Sequence, residues 1–407
     1  MFRAIGTRTA RPMGQCGIMS VMSSTLVEPR VGPRTWLVAL VAAVSTQDPR
    51  LALNLGPILV LVVVLTGHPS RFRVSGAVTV SVLYSLWIVG SVTWADFPES
   101  TWNGALIVGA VVVLFIGCAD VIKSTAHLRA IALGFVGGAL VAAVQVFFDS
   151  GGRIEGVDRF SLEGLNTNYL AYALSTAFAM VVLLWATTTG KRRYWLILPL
   201  IVLLVAVEAT GTRGAYLGVA ALAIWILICR FAGKPPLWFL LAAISSTALV
   251  IVSGYWDNRV ASWDIGDRST GDWSGRLVVW PIAREVWADN LWFGVGYAGF
   301  EKLNAFGIGA HNVFLQLGAG VGVIGVALFV GVWVSALYPA VKYGGRTGAF
   351  LVGSFLAVAS PAYLTGYWES APAAWIALAV FSRVHVLSAR ASSPANAIGA
   401  RARVQGE

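Results

Sequence analysis

Apolar residues in this chain are grouped into long runs separated by short polar connectors. Twelve runs lie near 33–46, 51–66, 74–93, 102–119, 127–148, 168–187, 194–209, 214–231, 237–253, 312–337, 347–366 and 371–388. A helix needs about 20 apolar residues to cross a hydrocarbon layer. The first two runs are shorter, and Asp48-Pro49-Arg50 between them predicts a hairpin instead of one long span. The pattern predicts an all-α integral membrane protein with about 12 transmembrane helices.

The connectors carry a second pattern. With the N-terminus in the cytoplasm and the sides alternating, 20 of the 29 basic residues fall inside and 16 of the 19 acidic residues fall outside. Positive residues concentrate on the cytoplasmic side of inserted proteins, and a missed helix would invert the pattern beyond it. Both termini are therefore expected in the cytoplasm. The chain divides into a cytoplasmic tail (1–32), nine helices (33–253), a large extracytoplasmic loop (254–311), three more helices (312–388) and a cytoplasmic tail (389–407).

Composition agrees. Hydrophobic residues make up 57% of 407 and charged ones only 12%, against about a quarter charged in soluble domains. Disordered, disulfide-framework and ordinary cytosolic classes are excluded. A net charge of +10 would point to nucleic acid in a soluble protein. Here it records orientation, so the expected partner is the bilayer and not nucleic acid. Cys16, Cys118 and Cys229 are not placed for an exofacial disulfide or a metal cluster.

The outer side concentrates the candidate chemistry. Only His311, of four histidines, lies there, where the large loop re-enters the membrane as Gly309-Ala310-His311-Asn312. Histidine at that place can act as a general base near neutral pH, or simply hydrogen-bond a loop carbonyl. Arg213 opens an apolar helix in Thr210-Gly211-Thr212-Arg213-Gly214-Ala215. Arginine at membrane depth is costly and marks ligand or counter-ion sites, although arginines at helix ends also snorkel. Arg276, Trp280, Arg284 and Trp287 share one face if their segment is helical, with Pro281 predicting a kink or a late start. That face suits a surface helix, but it also puts arginine, the side chain best matched to phosphate, near the outer histidine.

Two other signals are discounted. Gly294-Val295-Gly296-Tyr297-Ala298-Gly299 spells G-x-G-x-x-G but lacks the strand and βαβ unit that a dinucleotide site needs, so it is expected to be a flexible turn. Asp264, Asp267 and Asp272 are expected to be solvated and not to hold a metal.

Taken in order, these residues resemble the O-antigen ligase and O-antigen polymerase family of membrane glycosyltransferases. The resemblance rests on Thr212-Arg213-Gly214-Ala215, on Gly275-Arg276 with Trp280, and on Phe293-Gly294-Val295-Gly296 with Phe300. It also rests on His311-Asn312 followed by Gly318-Ala319-Gly320-Val321-Gly322-Val323-Ile324-Gly325. It covers residues 160–335 well and earlier helices by layout alone.

The resemblance implies a plasma-membrane enzyme without a cofactor or metal. Its donor would be a glycan on a polyprenyl diphosphate, and its acceptor a hydroxyl on another glycan, a lipid or a protein. Arg213, Arg276 and Arg284 would bind the diphosphate. His311 would be the catalytic base, with Asn312, Thr212 and Trp280 in support, and attack from the back face would invert the anomeric centre. No acidic residue follows near Gly318, which leaves the acceptor class open.

Two other readings remain. One is a transporter or flippase for lipid-linked glycan, though mid-helix charges are few. The other is a transferase using a polyprenyl monophosphate sugar, with Asp96 as the base.

Overall fold

The structure, a computed structural model, describes residues 31–66, 75–148, 160, 162, 165–232, 234–255 and 276–391. Outside those residues lie residues 1–30 with Cys16, residues 256–275 with Asp264, Asp267, Asp272 and Gly275, and the tail from 392.

Among the described residues, each of the twelve apolar runs falls largely in helix. In chain order the helices are α1 (Pro33–Gln47), α2 (Pro49–Leu65), α3 (Gly76–Gly90), α4 (Pro98–Val121), α5 (Thr125–Phe148), α6 (Thr167–Thr187) and α7 (Ile197–Thr210). They continue with α8 (Arg213–Phe231), α9 (Leu237–Ser253), α10 (Arg276–Asp289), α11 (Phe300–Leu303), α12 (Val313–Thr365), α13 (Pro372–Ser382) and α14 (Val386–Ala391). Among the described residues, seven helices are long and apolar enough to cross a membrane. The count falls below twelve partly because α1, α2, α9 and α13 have 11–17 residues. At 1.5 Å per residue those reach at most about 26 Å, short of a hydrocarbon core of about 30 Å.

The remaining difference lies within α12, a continuous assignment of 53 residues broken by left-handed glycines at Gly322 (φ 68°, ψ −175°) and Gly345 (φ 56°, ψ −142°). Its legs at 323–344 and 346–365 run antiparallel. Trp333 stacks on Phe355 at 5.4 Å, and Phe329 meets Tyr363 at 5.9 Å. These pairs are nearly symmetric about Gly345, so two apolar runs form a hairpin closed by one glycine. No Cβ is tolerated easily at that φ.

Small residues set the closest helix crossings, as expected where water does not drive association. On α5, Gly134 and Gly138 lie so near Ala39 and Ala43 of α1 that any Cβ would collide with the α1 backbone. On α8, Gly218 likewise leaves no room for a Cβ against the Val358 carbonyl of α12.

Candidate active site

The site is built around the C-terminal end of α12. The last carbonyls of a helix have no intrahelical partner and carry partial negative charge. Here three side chains meet them, one from the helix's own N-cap and two from other helices. Asn312 Nδ2 donates to Leu364 O at 2.9 Å, and Arg276 Nη2 donates to Thr365 O at 2.8 Å. Tyr172 of α6 donates to Thr365 O at 3.3 Å and lies 2.8 Å from Thr365 Oγ1. Asn312 is also the N-cap of α12, accepting from Leu315 N at 3.0 Å. One amide thus ties the start of the helix to its far end.

Arg213 approaches the same locus through its neighbour. A Cβ on Gly214 would lie 2.5 Å from Tyr172 Oη and 2.6 Å from Thr365 Oγ1. Only glycine lets the first turn of α8 come this close. Arg213 itself is exposed, while Thr212 beside it is buried, its hydroxyl 3.4 Å from Asn168 Oδ1. Burial lowers the pKa of the Arg276 guanidinium, Tyr172 and Tyr367 counter this, and the charge of Arg213 lowers it further. The two arginines are therefore near enough to repel each other.

His311 sits beside Arg276 on a fixed turn. Its backbone is left-handed (φ 49°), which costs a non-glycine residue about 1 kcal/mol and so demands support. Trp280 Nε1 donates to Ala310 O at 2.7 Å, Ala310 N donates to Gln316 Oε1 at 2.9 Å, and Asn304 Nδ2 donates to Ile308 O at 2.8 Å. The imidazole lies against Tyr367 with ring centres 4.3 Å apart, and its Nδ1 is buried without a partner. Burial, then the charge of Arg276, lowers its pKa to about 4.

The role of Trp280 can be checked directly. Trp280→Phe removes the donor to Ala310 O and leaves a buried carbonyl unsatisfied, a loss of about 1–3 kcal/mol. Any reaction that uses a group on this turn is expected to slow by about tenfold or more, because small displacements of a reacting group cost up to about 100-fold. Kinetics beside a melting curve would separate the two effects. A lowered melting temperature with full activity would confine Trp280 to holding the fold.

Arg284 is engaged elsewhere. Its Nη1 donates to Ile251 O at 3.0 Å, and its guanidinium packs over Gly254, the left-handed C-cap of α9. The even spacing on one helix face therefore leads Arg276 to the end of α12 and Arg284 to the end of α9. Pro281 lies within α10 and does not delay its start.

The G-x-G-x-x-G segment corrects the expectation of a flexible turn. Gly294 and Gly296 adopt positive φ and fit against Gly320 and Ala95. Val295 N donates to Ala319 O, Asp96 N to Val295 O, Val323 N to Leu291 O, and Trp94 Nε1 to Phe293 O. The loop is pinned into the break of α12 at Gly322.

Glu369, which sequence reasoning treated as one outer acid among many, is 3% exposed, and its Oε2 has no partner. Burial, and then the charge of Glu301, raises its carboxyl to about 7. Tyr84, Tyr297, Tyr363 and Tyr367 all lie within its electrostatic reach. The sequence signal was present: a lone carboxylate in Tyr367-Trp368-Glu369-Ser370, between two long apolar runs. Among the described residues no group of three His, Cys, Asp or Glu side chains is gathered to hold a metal.

This architecture is that of a multi-pass helical membrane protein with a cationic, histidine-bearing site at one end of its bundle. Residues 198–330, about a third of the chain, match the family model described as O-antigen ligase. The match supports assignment to the O-antigen ligase/polymerase family, and with it a glycosyltransferase-type enzyme of surface-polysaccharide synthesis. No curated protein shows a matching sequence. The matched stretch contains Arg213, Arg276 and His311, whereas Tyr172, Thr365, Tyr367 and Glu369 lie outside it.

Proposed function

We propose that the protein transfers a glycan from a polyprenyl diphosphate carrier to an acceptor hydroxyl at the extracytoplasmic face of the plasma membrane. The observation that carries this reading is that Arg276 reaches the end of α12 at Thr365, where Gly214, beside Arg213, brings in the first turn of α8, while His311 lies within reach of the Arg276 charge. In this reading twelve spans leave both termini in the cytoplasm.

His311 takes the proton from the acceptor hydroxyl, and the oxygen attacks the anomeric carbon from the face opposite the diphosphate. The C–O bond to phosphate breaks, and the diphosphate leaves with the electron pair. The anomeric configuration inverts. Arg213 and Arg276 neutralise the charge that develops on the leaving group, the kind of fixed stabilisation that contributes most to such reactions, so the step needs no metal. Arg284 and Trp280 keep α10 and the His311 turn in register.

The lowered His311 basicity has a use here. Buried beside the Arg276 charge, the imidazole is neutral and a weak base. A bound diphosphate offsets the guanidinium charge and raises the imidazole pKa, so the base strengthens once the donor is in place.

Arg276→Ala is expected to lower transfer by about two orders of magnitude or more, with accumulation of lipid-linked glycan. Arg276→Lys should rescue poorly, because an ammonium cannot make the bidentate contact of a guanidinium. Both are read by resolving lipid-linked donor from finished polymer. Full rescue by lysine would reduce the contact to a point charge, and unchanged polymer in the alanine variant would remove Arg276 from the reaction.

A further inference from the structure

Three helices meet at the candidate active site, through Tyr172 of α6, Arg213 of α8 and Thr365 of α12. Traced to their opposite ends, the same helices border an open cavity of about 400 Å³ lined in part by Ile226, Cys229, Arg230, Arg346, Thr347 and Phe350. From Arg213 to Arg230 is about 26 Å along α8 by helical rise, so the cavity lies at the other side of the bundle from the site.

Its chemistry is that of an anion receptor. Arg230 comes from the last turn of α8, and Arg346 follows the left-handed Gly345 that closes the α12 hairpin. Neither guanidinium has an ion-pair or hydrogen-bond partner among the described residues, and no carboxylate lines the cavity. Arg346 stands close enough for its charge to act on the Cys229 thiol, so both arginines border the same space. Thr347 adds a hydroxyl, and Ile226 and Phe350 supply an apolar wall.

The walls are preformed. Trp225 Nε1 donates to Phe350 O at 3.0 Å, its ring is buried, and it fills the space that a Cβ on Gly353 would occupy. A lone arginine at a helix end needs no ligand to account for it. Two from separate elements, facing one walled cavity without a counter-ion, are a different case. Pockets of about 300–1,000 Å³ are typical of small-molecule sites, and basic pockets between membrane helices bind phospholipid headgroups.

We propose that Arg230 and Arg346 hold the phosphodiester of an anionic phospholipid headgroup. Its acyl chains lie along the exposed apolar side chains Ile224 and Leu227 of α8. This site is independent of the transfer reaction and is occupied whatever glycan the enzyme handles.

The test is native mass spectrometry of the full-length protein, titrated with phosphatidylglycerol or phosphatidylcholine. One phosphatidylglycerol should bind preferentially. Arg230→Ala with Arg346→Ala should weaken it by about tenfold or more, and Arg230→Lys with Arg346→Lys should give an intermediate affinity in a protein that retains its charge. Removing two charges elsewhere on that end, by Arg192→Ala with Arg193→Ala, should change it less than about twofold. Equal binding of the two lipids, equal loss in both alanine pairs, or unchanged affinity in the lysine and alanine pairs alike would overturn the site. Displacement of the lipid by an equal concentration of glycerol phosphate would overturn its assignment to a lipid. If the alanine pair does not fold, the lysine pair and the Arg192/Arg193 pair still decide the question.

Discussion

His311→Ala is expected to lower glycan transfer by about 10²–10⁴-fold, the usual contribution of a positioned general base, while lipid-linked donor accumulates. A second variant guards against a trivial loss of shape. His311 occupies a left-handed backbone conformation, which asparagine adopts more readily than most residues. His311→Asn therefore preserves the turn while removing the base, and it should be as inactive as the alanine variant.

The pH dependence adds an independent readout. In the free enzyme the imidazole loses its proton near pH 4, so kcat/KM should be flat through neutrality and fall only in acid. The acid limb of kcat should lie at higher pH, because bound diphosphate opposes the Arg276 charge. Coincident limbs would mean that donor binding does not tune His311. Normal polymer from either variant would remove His311 from the chemistry.

Much of this site was legible in the order of residues, and the reason is local. Thr212-Arg213-Gly214, Arg276 with Trp280, and His311-Asn312 each sit where a polar segment meets an apolar run, so burial and charge conflict visibly in the sequence. Their surroundings were not legible because they arise from packing. Tyr172 lies inside an unbroken apolar run and joins the site by meeting Thr365 of α12, with Gly214 letting α8 close over the contact. Thr365 joins through its backbone carbonyl, which no sequence pattern marks.

Arg276 and Arg284 are equivalent by helical spacing, and only the neighbouring helix ends tell them apart. The same holds for the fold. Hydrophobic runs located the helices, but the glycines that break α12 read as an ordinary small-residue stretch until Leu291 and Trp292 are seen packed into the break at Gly322.

Glu369 leads to the second large expectation, a difference in stability between wild type and Glu369→Gln that depends on pH. Its folded carboxyl titrates near 7 against an ordinary value of 4.5, so the folded state binds the proton more tightly. Stability from this group is complete below about pH 4.5 and is lost as pH rises through 7, a loss of roughly 3 kcal/mol in all. His311 acts in the opposite sense. Its folded pKa is depressed, so its contribution is complete above the ordinary value of 6.5 and is lost as pH falls toward 4. Between pH 4.5 and 6.5 the two slopes oppose each other, and the wild-type curve alone identifies neither.

Glu369→Gln keeps the size and hydrogen-bonding shape but cannot ionise among Glu301 and the tyrosines at 84, 297, 363 and 367. The variant should match wild type near pH 4.5, gain progressively as pH rises, and exceed it by roughly 3 kcal/mol at pH 8. Its own stability should then rise with pH across the window in which His311 titrates. Detergent-solubilised protein, melted at pH steps from 4.5 to 8, measures the difference. A constant offset between the two proteins would mean that Glu369 does not change its protonation in that range.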